Sequence, residues 1–299
     1  GGTGTMEQKQ PGIIRRFMNK PIVSGIVITI LFLLLLRYAP EFPESWNIPI
    51  IYDELIFIAF IIVIYVCYTR YFKDELPNRT SAKSIMKGLA CLAPLLVMAT
   101  LVFLTALAMF IVSGGNGVTG EYLLKCFVSA LSAGVCEEIV LRGLFSENMM
   151  RVSTSSKDIM KNALIPSLVF GVCHLTNILS GAGIYATIGQ VFSTFGIGFL
   201  YSAALFRTGT IIPGVICHTF VDFSSFFIAG VNNGAAETIG RLSDGANPVM
   251  DILKAAMMGI VAFLCGMFVL RKKKREEICE VFSLEYVDNN KEEGDKDEK

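Results

Sequence analysis

The sequence predicts an all-α, polytopic membrane bundle of about eight transmembrane helices with a central polar cavity. Hydrophobic residues make up 53% of the 299-residue chain, charged residues make up 17%, and the mean hydropathy is +0.57. A soluble domain of this size would carry more charge. Several charged side chains nevertheless fall inside apolar segments, where each costs about 2.5–3.5 kcal/mol if it faces lipid. They are therefore expected to face one another or water.

Apolar runs near the spanning length of about 20 residues define the helices. The predicted spans cover residues 21–38, 50–69, 85–112, 121–142, 159–178, 183–205, 211–230 and 250–270. Basic residues cluster in alternate connecting segments, and by the positive-inside rule this pattern places both termini in the cytoplasm. We expect an integral multi-pass protein, in the plasma membrane of a bacterium.

The chain divides into five parts by composition. Residues 1–5 resemble a remnant of cloning and are excluded from fold reasoning. The charge pattern changes after residue 270. The basic pentad 271–275 is followed by a segment of mixed charge and by an acidic end. We expect that tail to be cytoplasmic and disordered, with the pentad acting as a stop-transfer anchor rather than a lipid-specific site. The parts are 1–5, 6–120 with the first three helices, 121–230 with the core helices four to seven, 231–270 with a loop and the last helix, and the tail 271–299.

Three charged residues lie together on the fourth predicted span. Glu138 and Arg142 are spaced i, i+4 with the glutamate first, which is the favoured order for a helical ion pair. Glu137 points about 100° away around the helix and is free to face a cavity. We expect Glu138 to be the salt-bridged support and Glu137 to be a general base for water. A buried network that only fixes helix packing is the alternative.

Both histidines of the chain, His174 and His218, also fall within apolar segments. Asp222 follows His218 by one helical turn, so the two share a helix face. Asp222 could orient the imidazole or, when protonated, donate a hydrogen bond. A base, two imidazoles and an acidic partner on three helices suit hydrolysis of an amide by water, in which one group deprotonates water and others stabilise the oxyanion.

A metal site is a second interpretation of the same residues. Glu137, His174 and His218 could hold Zn²⁺ with a metal-bound water as nucleophile, although their spacing does not match H-E-x-x-H. The eight cysteines form no C-x-x-C pair, so neither a disulfide framework nor a zinc ribbon is indicated. We expect no cofactor and retain Zn²⁺ as the alternative.

Three motifs in order resemble a known family. They are Glu137-Glu138-Ile-Val-Leu-Arg142, then Phe170-Gly-Val-Cys-His174, then a glycine-containing stretch that ends in His218-Thr-Phe-Val-Asp222. Together, over about residues 122–230, they are similar to the CAAX protease and bacteriocin-processing (CPBP/Abi) family of intramembrane endopeptidases, in particular the type II CAAX prenyl endopeptidases.

The resemblance implies an eight-helix fold with a conical cavity open to the cytosol and to lipid. It implies that Glu137 activates the attacking water, that His174 helps to position it, and that His218 with Asp222 stabilises the oxyanion, without a metal. Many members carry Asn where this chain has Asp222, and Asp donates a hydrogen bond only when protonated. The implied partners are a peptide or lipidated protein substrate and membrane lipids, with no nucleic acid.

Two other functions are compatible with intramembrane charges. A proton-coupled transporter also uses Glu, His and Asp chains, although no repeated halves are visible here. A non-catalytic bacteriocin-immunity protein is the other alternative. Within the protease interpretation, the sequence leaves open a prenylated protein, a bacteriocin leader or a pheromone precursor as substrate.

Overall fold

The computed structural model describes residues 12–38, 51–77, 80–115, 118–239 and 248–287. These residues are almost entirely helical, which confirms the all-α prediction. The helices are α1 Ile13–Met18, α2 Pro21–Tyr38, α3 Ile51–Tyr71, α4 Ala82–Cys91, α5 Ala93–Val112, α6 Gly120–Glu137, α7 Asn148–Val152, α8 Ile159–Cys173, α9 Ile184–Thr208, α10 Ile212–Ile239, α11 Pro248–Val269 and α12 Lys272–Phe282. The cloning remnant predicted at residues 1–5 lies outside the described chain.

Seven helical segments in the described ranges are long and apolar enough to cross a membrane. They contain α2, α3, α5, α8, α9, α10 and α11, so the protein is an integral, multi-pass membrane protein. The remaining predicted span, 121–142, corresponds to α6 and its continuation, whose hydropathy is reduced by Glu121, Lys125 and Glu137. This segment packs between α10 and α3, so its polar side chains have protein partners available.

The predicted span 85–112 is not one helix. It is divided at Leu92 into α4 and α5. Pro94 lies in the first turn of α5, where its missing N–H costs least. Ser81 caps α4 by accepting a hydrogen bond from the backbone N–H of Ser84, and the short helix packs on α9 and α10.

The segment from Gly120 to Val152 is continuous but changes its winding. It is α-helical to Glu137, π-helical from Glu138 to Glu147, and α-helical again in α7. All ten residues of the π-helical segment are buried, and the Ser146 hydroxyl donates to the carbonyl of Leu141. π-helical turns are rare and occur frequently at functional sites. Here they change the directions of successive side chains along a fully buried stretch, relative to an ordinary helix.

The prediction of a disordered tail from residue 271 is wrong for its first part. Residues 272–282 form α12, whose apolar face (Ile278, Cys279, Val281 and Phe282) is buried. Phe282 contacts Phe206 of α9 edge-on, with ring centroids 5.9 Å apart. The tail has enough apolar residues at helical spacing to dock on the bundle. Its overall composition is highly charged, so this spacing was not apparent from composition alone. Residues 288–299 of the predicted tail lie outside the described chain.

An ion-pair network fixes α12 to the rest of the protein. The Glu277 carboxylate lies 2.5 Å from Lys274, 2.6 Å from Arg207 and 3.1 Å from Lys87. Lys274 together with Lys87 and Arg207 lowers the pKa of the Glu277 carboxyl to about 2. One carboxylate therefore joins α4, α9 and α12.

We predict that Glu277→Gln lowers the free energy of unfolding by about 1 kcal/mol, since it removes a partly exposed ion-pair network. Because the folded pKa lies below the ordinary value of 4.5, the contribution of Glu277 is present above pH 4.5 and is lost as the pH falls toward 2. Thermal unfolding in detergent at several pH values measures this. Glu276→Gln, an exposed position on the same helix, is the matched control, and equal effects of the two variants would contradict the assignment.

Candidate active site

The site is organised around a buried ion pair. Arg142 Nη1 lies 3.2 Å from Glu138 Oε1, and the two residues are 1% and 0% exposed. The guanidinium also stacks over Phe170 and Tyr201, with its Cζ 4.4 Å and 5.3 Å from the ring centroids. Such cation–π contacts are strongest when the cation is desolvated. The i, i+4 pair predicted from the sequence is therefore present, inside an aromatic box.

Two glycines on neighbouring helices make room for this pair. A Cβ on Gly214 of α10 would lie 2.7 Å from Glu138 Oε2, and one on Gly198 of α9 would lie 2.8 Å from Arg142 Nη2. Neither distance accommodates a methyl group without displacing the charged side chain. The glycines therefore allow α9 and α10 to approach the π-helical segment closely.

His218 of α10 lies among three carboxylates. Its Nδ1 is 3.2 Å from Glu138 Oε1, and its Nε2 is 3.5 Å from Asp222 Oδ2 and 3.7 Å from Glu137 Oε2. Tyr201 stacks against the ring at a centroid distance of 5.5 Å. Both ring nitrogens thus face acceptors, an arrangement that is satisfied when the imidazole donates from both.

His174 occupies the end of α8. The predicted helix 159–178 is α-helical only to Cys173 and continues as a 3₁₀-helix from His174 to Ser180. The His174 Nδ1 lies 2.9 Å from the carbonyl of Phe170. Because a carbonyl only accepts, Nδ1 carries the hydrogen, and Nε2 of the neutral ring is left as an acceptor.

Glu137 and His174 line a common cavity of about 100 Å³. Cys173 and Asn177 add polar atoms to its wall, and α2 contributes apolar side chains such as Phe32. A volume of this size has room for water. The Glu137 side chain is 24% exposed whereas that of Glu138 is 1% exposed, so only the first glutamate is accessible from the cavity.

The predicted site residues are thus brought together from three helical segments. Glu137, Glu138, Arg142, His218 and Asp222 form one chain of contacts, and His174 joins it through the cavity. Within the described ranges, no group of three or more His, Cys, Asp or Glu side chains has a geometry able to hold a metal ion. The alternative Zn²⁺ ligand set of Glu137, His174 and His218 is not among such groups. It stays a prediction beside the metal-free one.

Sequence reasoning missed the aromatic residues of the site. Tyr201 contacts both His218 and Arg142, and Phe170 contacts Arg142 and lies edge-on to His174 with centroids 4.9 Å apart. Tyr201 follows Gly198 by about one turn of α9, and this pairing of a small residue with a tyrosine in an apolar stretch was the available signal. Both rings exclude water from the ion pair and hold the imidazoles in place.

We predict that Arg142→Met lowers the free energy of unfolding by about 3–5 kcal/mol, because it leaves the Glu138 charge buried without its partner. The double variant Glu138→Gln/Arg142→Met should recover at least half of this loss, since no uncompensated charge remains and Gln still accepts from His218. Unfolding titrations in mixed micelles measure four proteins: the wild type, Arg142→Met, Glu138→Gln and the double variant. Additive losses in the double variant would show that the two side chains are not coupled.

We also predict that Gly214→Ala lowers the free energy of unfolding by about 1–3 kcal/mol, because the new methyl group displaces the Glu138 carboxylate. Gly120→Ala is the matched control: it lies at the start of α6, and no atom approaches its Cβ position within 4 Å. The control should be neutral or slightly stabilising. Equal stability of the two variants would rule out close packing at Gly214.

Comparison with known proteins agrees with the motif-based resemblance. Residues 119–224 match the family model described as Type II CAAX prenyl endopeptidase Rce1-like. The match begins at Thr119, the N-cap of α6, and extends two residues beyond Asp222. No curated protein and no solved structure matches the chain. Over this stretch, about a third of its length, the protein carries the sequence pattern of the Rce1-like type II CAAX prenyl endopeptidases.

Proposed function

We propose that the protein is an intramembrane endopeptidase that hydrolyses a peptide bond in a membrane-associated or lipidated peptide or protein, using water activated by Glu137. The observation that carries this proposal is the position of the Glu137 carboxylate. It opens on the cavity shared with His174 and lies 3.7 Å from His218. The family match to prenyl endopeptidases supports the same class of reaction.

In the proposed reaction, Glu137 accepts a proton from water while the oxygen attacks the carbonyl carbon of the scissile bond. His174 orients that water through Nε2, because its Nδ1 is engaged by the backbone. The tetrahedral intermediate then collapses, the C–N bond breaks, and the leaving nitrogen takes up the proton held by Glu137. The products are a carboxyl group and an amine, so no further reactant is needed.

His218 is proposed to stabilise the negative charge that develops on the carbonyl oxygen. Glu138 holds its Nδ1, Tyr201 fixes the plane of the ring, and Asp222 lies 3.5 Å from Nε2. In the absence of substrate, Asp222 accepts from Nε2 and orients the imidazole, so it does not itself need a hydrogen to donate. In the proposed reaction, the oxyanion replaces Asp222 as the acceptor for Nε2–H. Arg142 lies 3.2 Å from Glu138 and balances its charge.

The substrate class follows from the environment of the site. The cavity wall formed by α2 is apolar, and the site lies within a membrane bundle, so a substrate reaches it from the membrane or its surface. A prenylated protein is the substrate that the description of the matching family favours. A bacteriocin leader and a pheromone precursor stay the alternative substrates.

Glu137→Gln should reduce the rate of cleavage by about 10²–10⁴-fold, because glutamine cannot accept the proton of water. Mass spectrometry of membrane peptides from cells with wild-type or Glu137→Gln protein measures the loss and identifies the substrate. Glu121→Gln is the matched control, since Glu121 is an exposed partner of Lys125, and it should cleave normally. Undiminished cleavage by Glu137→Gln, or cleavage abolished by a zinc chelator, would refute the proposed mechanism.

A further inference from the structure

A cavity much larger than the one around Glu137 lies away from the candidate active site. It is a cleft of about 680 Å³ between α4 and α5 on one side and α11 on the other. None of its lining residues lines the cavity around Glu137. The volume is many times that of a water molecule, at roughly 30 Å³, so the cleft has room for part of a larger molecule.

One end of the cleft is strongly basic. Four cations line it: Lys87 of α4, Arg207 in the last turn of α9, Arg271 at the N-cap of α12 and Lys274 in its first turn. Glu277 is the acidic partner of three of them, so one negative charge faces four positive charges. We define these four cations as the basic mouth, and its local charge remains positive after the ion pairs are counted.

Two arginines of the basic mouth have capacity left to bind an anion. Arg271 donates to the carbonyl of Phe268 and stacks on its ring, with its Cζ 4.0 Å from the centroid. The Arg207 side chain is only 8% exposed and uses Nη2 to bind Glu277. Its Nε is buried and has no hydrogen-bond partner among the described residues.

The rest of the cleft is apolar and faces outward. Val261, Leu264 and Phe268 of α11 line it and are 51%, 59% and 65% exposed. They lie on a candidate membrane span, so their exposed faces lie against hydrocarbon and not against water. Pro94 and Ala93 of α5 form the opposite wall.

We propose that this cleft binds one anionic phospholipid, with its phosphate at the basic mouth and an acyl chain along α11 and α5. Charge complementarity selects an anionic head group over a zwitterionic one, and basic pockets between transmembrane helices are suited to such head groups. The apolar length of the cleft selects a lipid over a soluble anion. The basic pentad at residues 271–275, expected from the sequence to be only a stop-transfer anchor, thereby contributes two residues, Arg271 and Lys274, to a lipid site.

The test is native mass spectrometry of the full-length protein in detergent, titrated with phosphatidylglycerol or with phosphatidylcholine of the same acyl chains. The wild-type protein should retain phosphatidylglycerol preferentially. Lys87→Gln/Arg271→Gln should weaken that binding about 30-fold, because two charges at the head group are lost. Lys272→Gln/Lys273→Gln is the matched control: it removes the same charge from exposed neighbours outside the cleft and should retain wild-type affinity within about twofold.

Two further measurements distinguish a lipid site from a site for a soluble anion. Ala93→Phe, which narrows the apolar wall and keeps every charge, should also weaken phosphatidylglycerol binding. Inorganic phosphate at the same concentration should neither displace the lipid nor raise the unfolding temperature. Equal binding of the two lipids, equal losses in the two double variants, or displacement by phosphate alone would overturn the proposal.

Discussion

The structure depends on keeping the charges of Glu138 and Arg142 inside an apolar bundle. Removing two such charges from water is expensive, and their attraction offsets the expense only when the geometry is good and further partners are present. The protein supplies those partners as His218 on one side of the pair and as two aromatic faces around the guanidinium. The ion pair thereby fixes the relative positions of α8, α9, α10 and the π-helical segment, which are the elements that carry the proposed chemistry.

This constraint explains why the local structure around the site is irregular. The helix changes from α to π winding between two adjacent glutamates, of which Glu137 is accessible from a cavity and Glu138 is buried. Gly198 and Gly214 are required because the charged side chains fill the space that a methyl group would occupy. The π-helical winding and the two glycines are therefore consequences of placing a polar site in the bundle.

Features encoded by local spacing could be predicted from the sequence. Apolar runs indicated the spans, and i, i+4 spacing indicated the pairs Glu138–Arg142 and His218–Asp222. Features that depend on tertiary packing could not be predicted. The division at Leu92, the π-helical turns and the docking of α12 all depend on neighbouring helices, and the role of Tyr201 is visible only when α9 lies beside α10.

Helix α9 connects the candidate active site with the cleft that carries the basic mouth. Gly198 and Tyr201 in its middle contact the ion pair and the imidazole, whereas Arg207 in its last turn belongs to the basic mouth. A lipid phosphate bound by Arg207 would hold the end of the helix that supports the candidate active site. The membrane would then contribute to the order of the bundle as well as surround it.

The most direct test of the account uses the fact that the chain contains only two histidines. Nitrogen NMR of the protein labelled with ¹⁵N-histidine should give two separate sets of signals, since Nδ1 of His218 faces the Glu138 carboxylate whereas Nδ1 of His174 faces the backbone carbonyl of Phe170. Substituting Glu138 with Gln should shift the His218 signals and leave those of His174 in place. Two histidines with the same signals, both insensitive to Glu138, would contradict the central claim that a buried carboxylate organises the imidazole at this site.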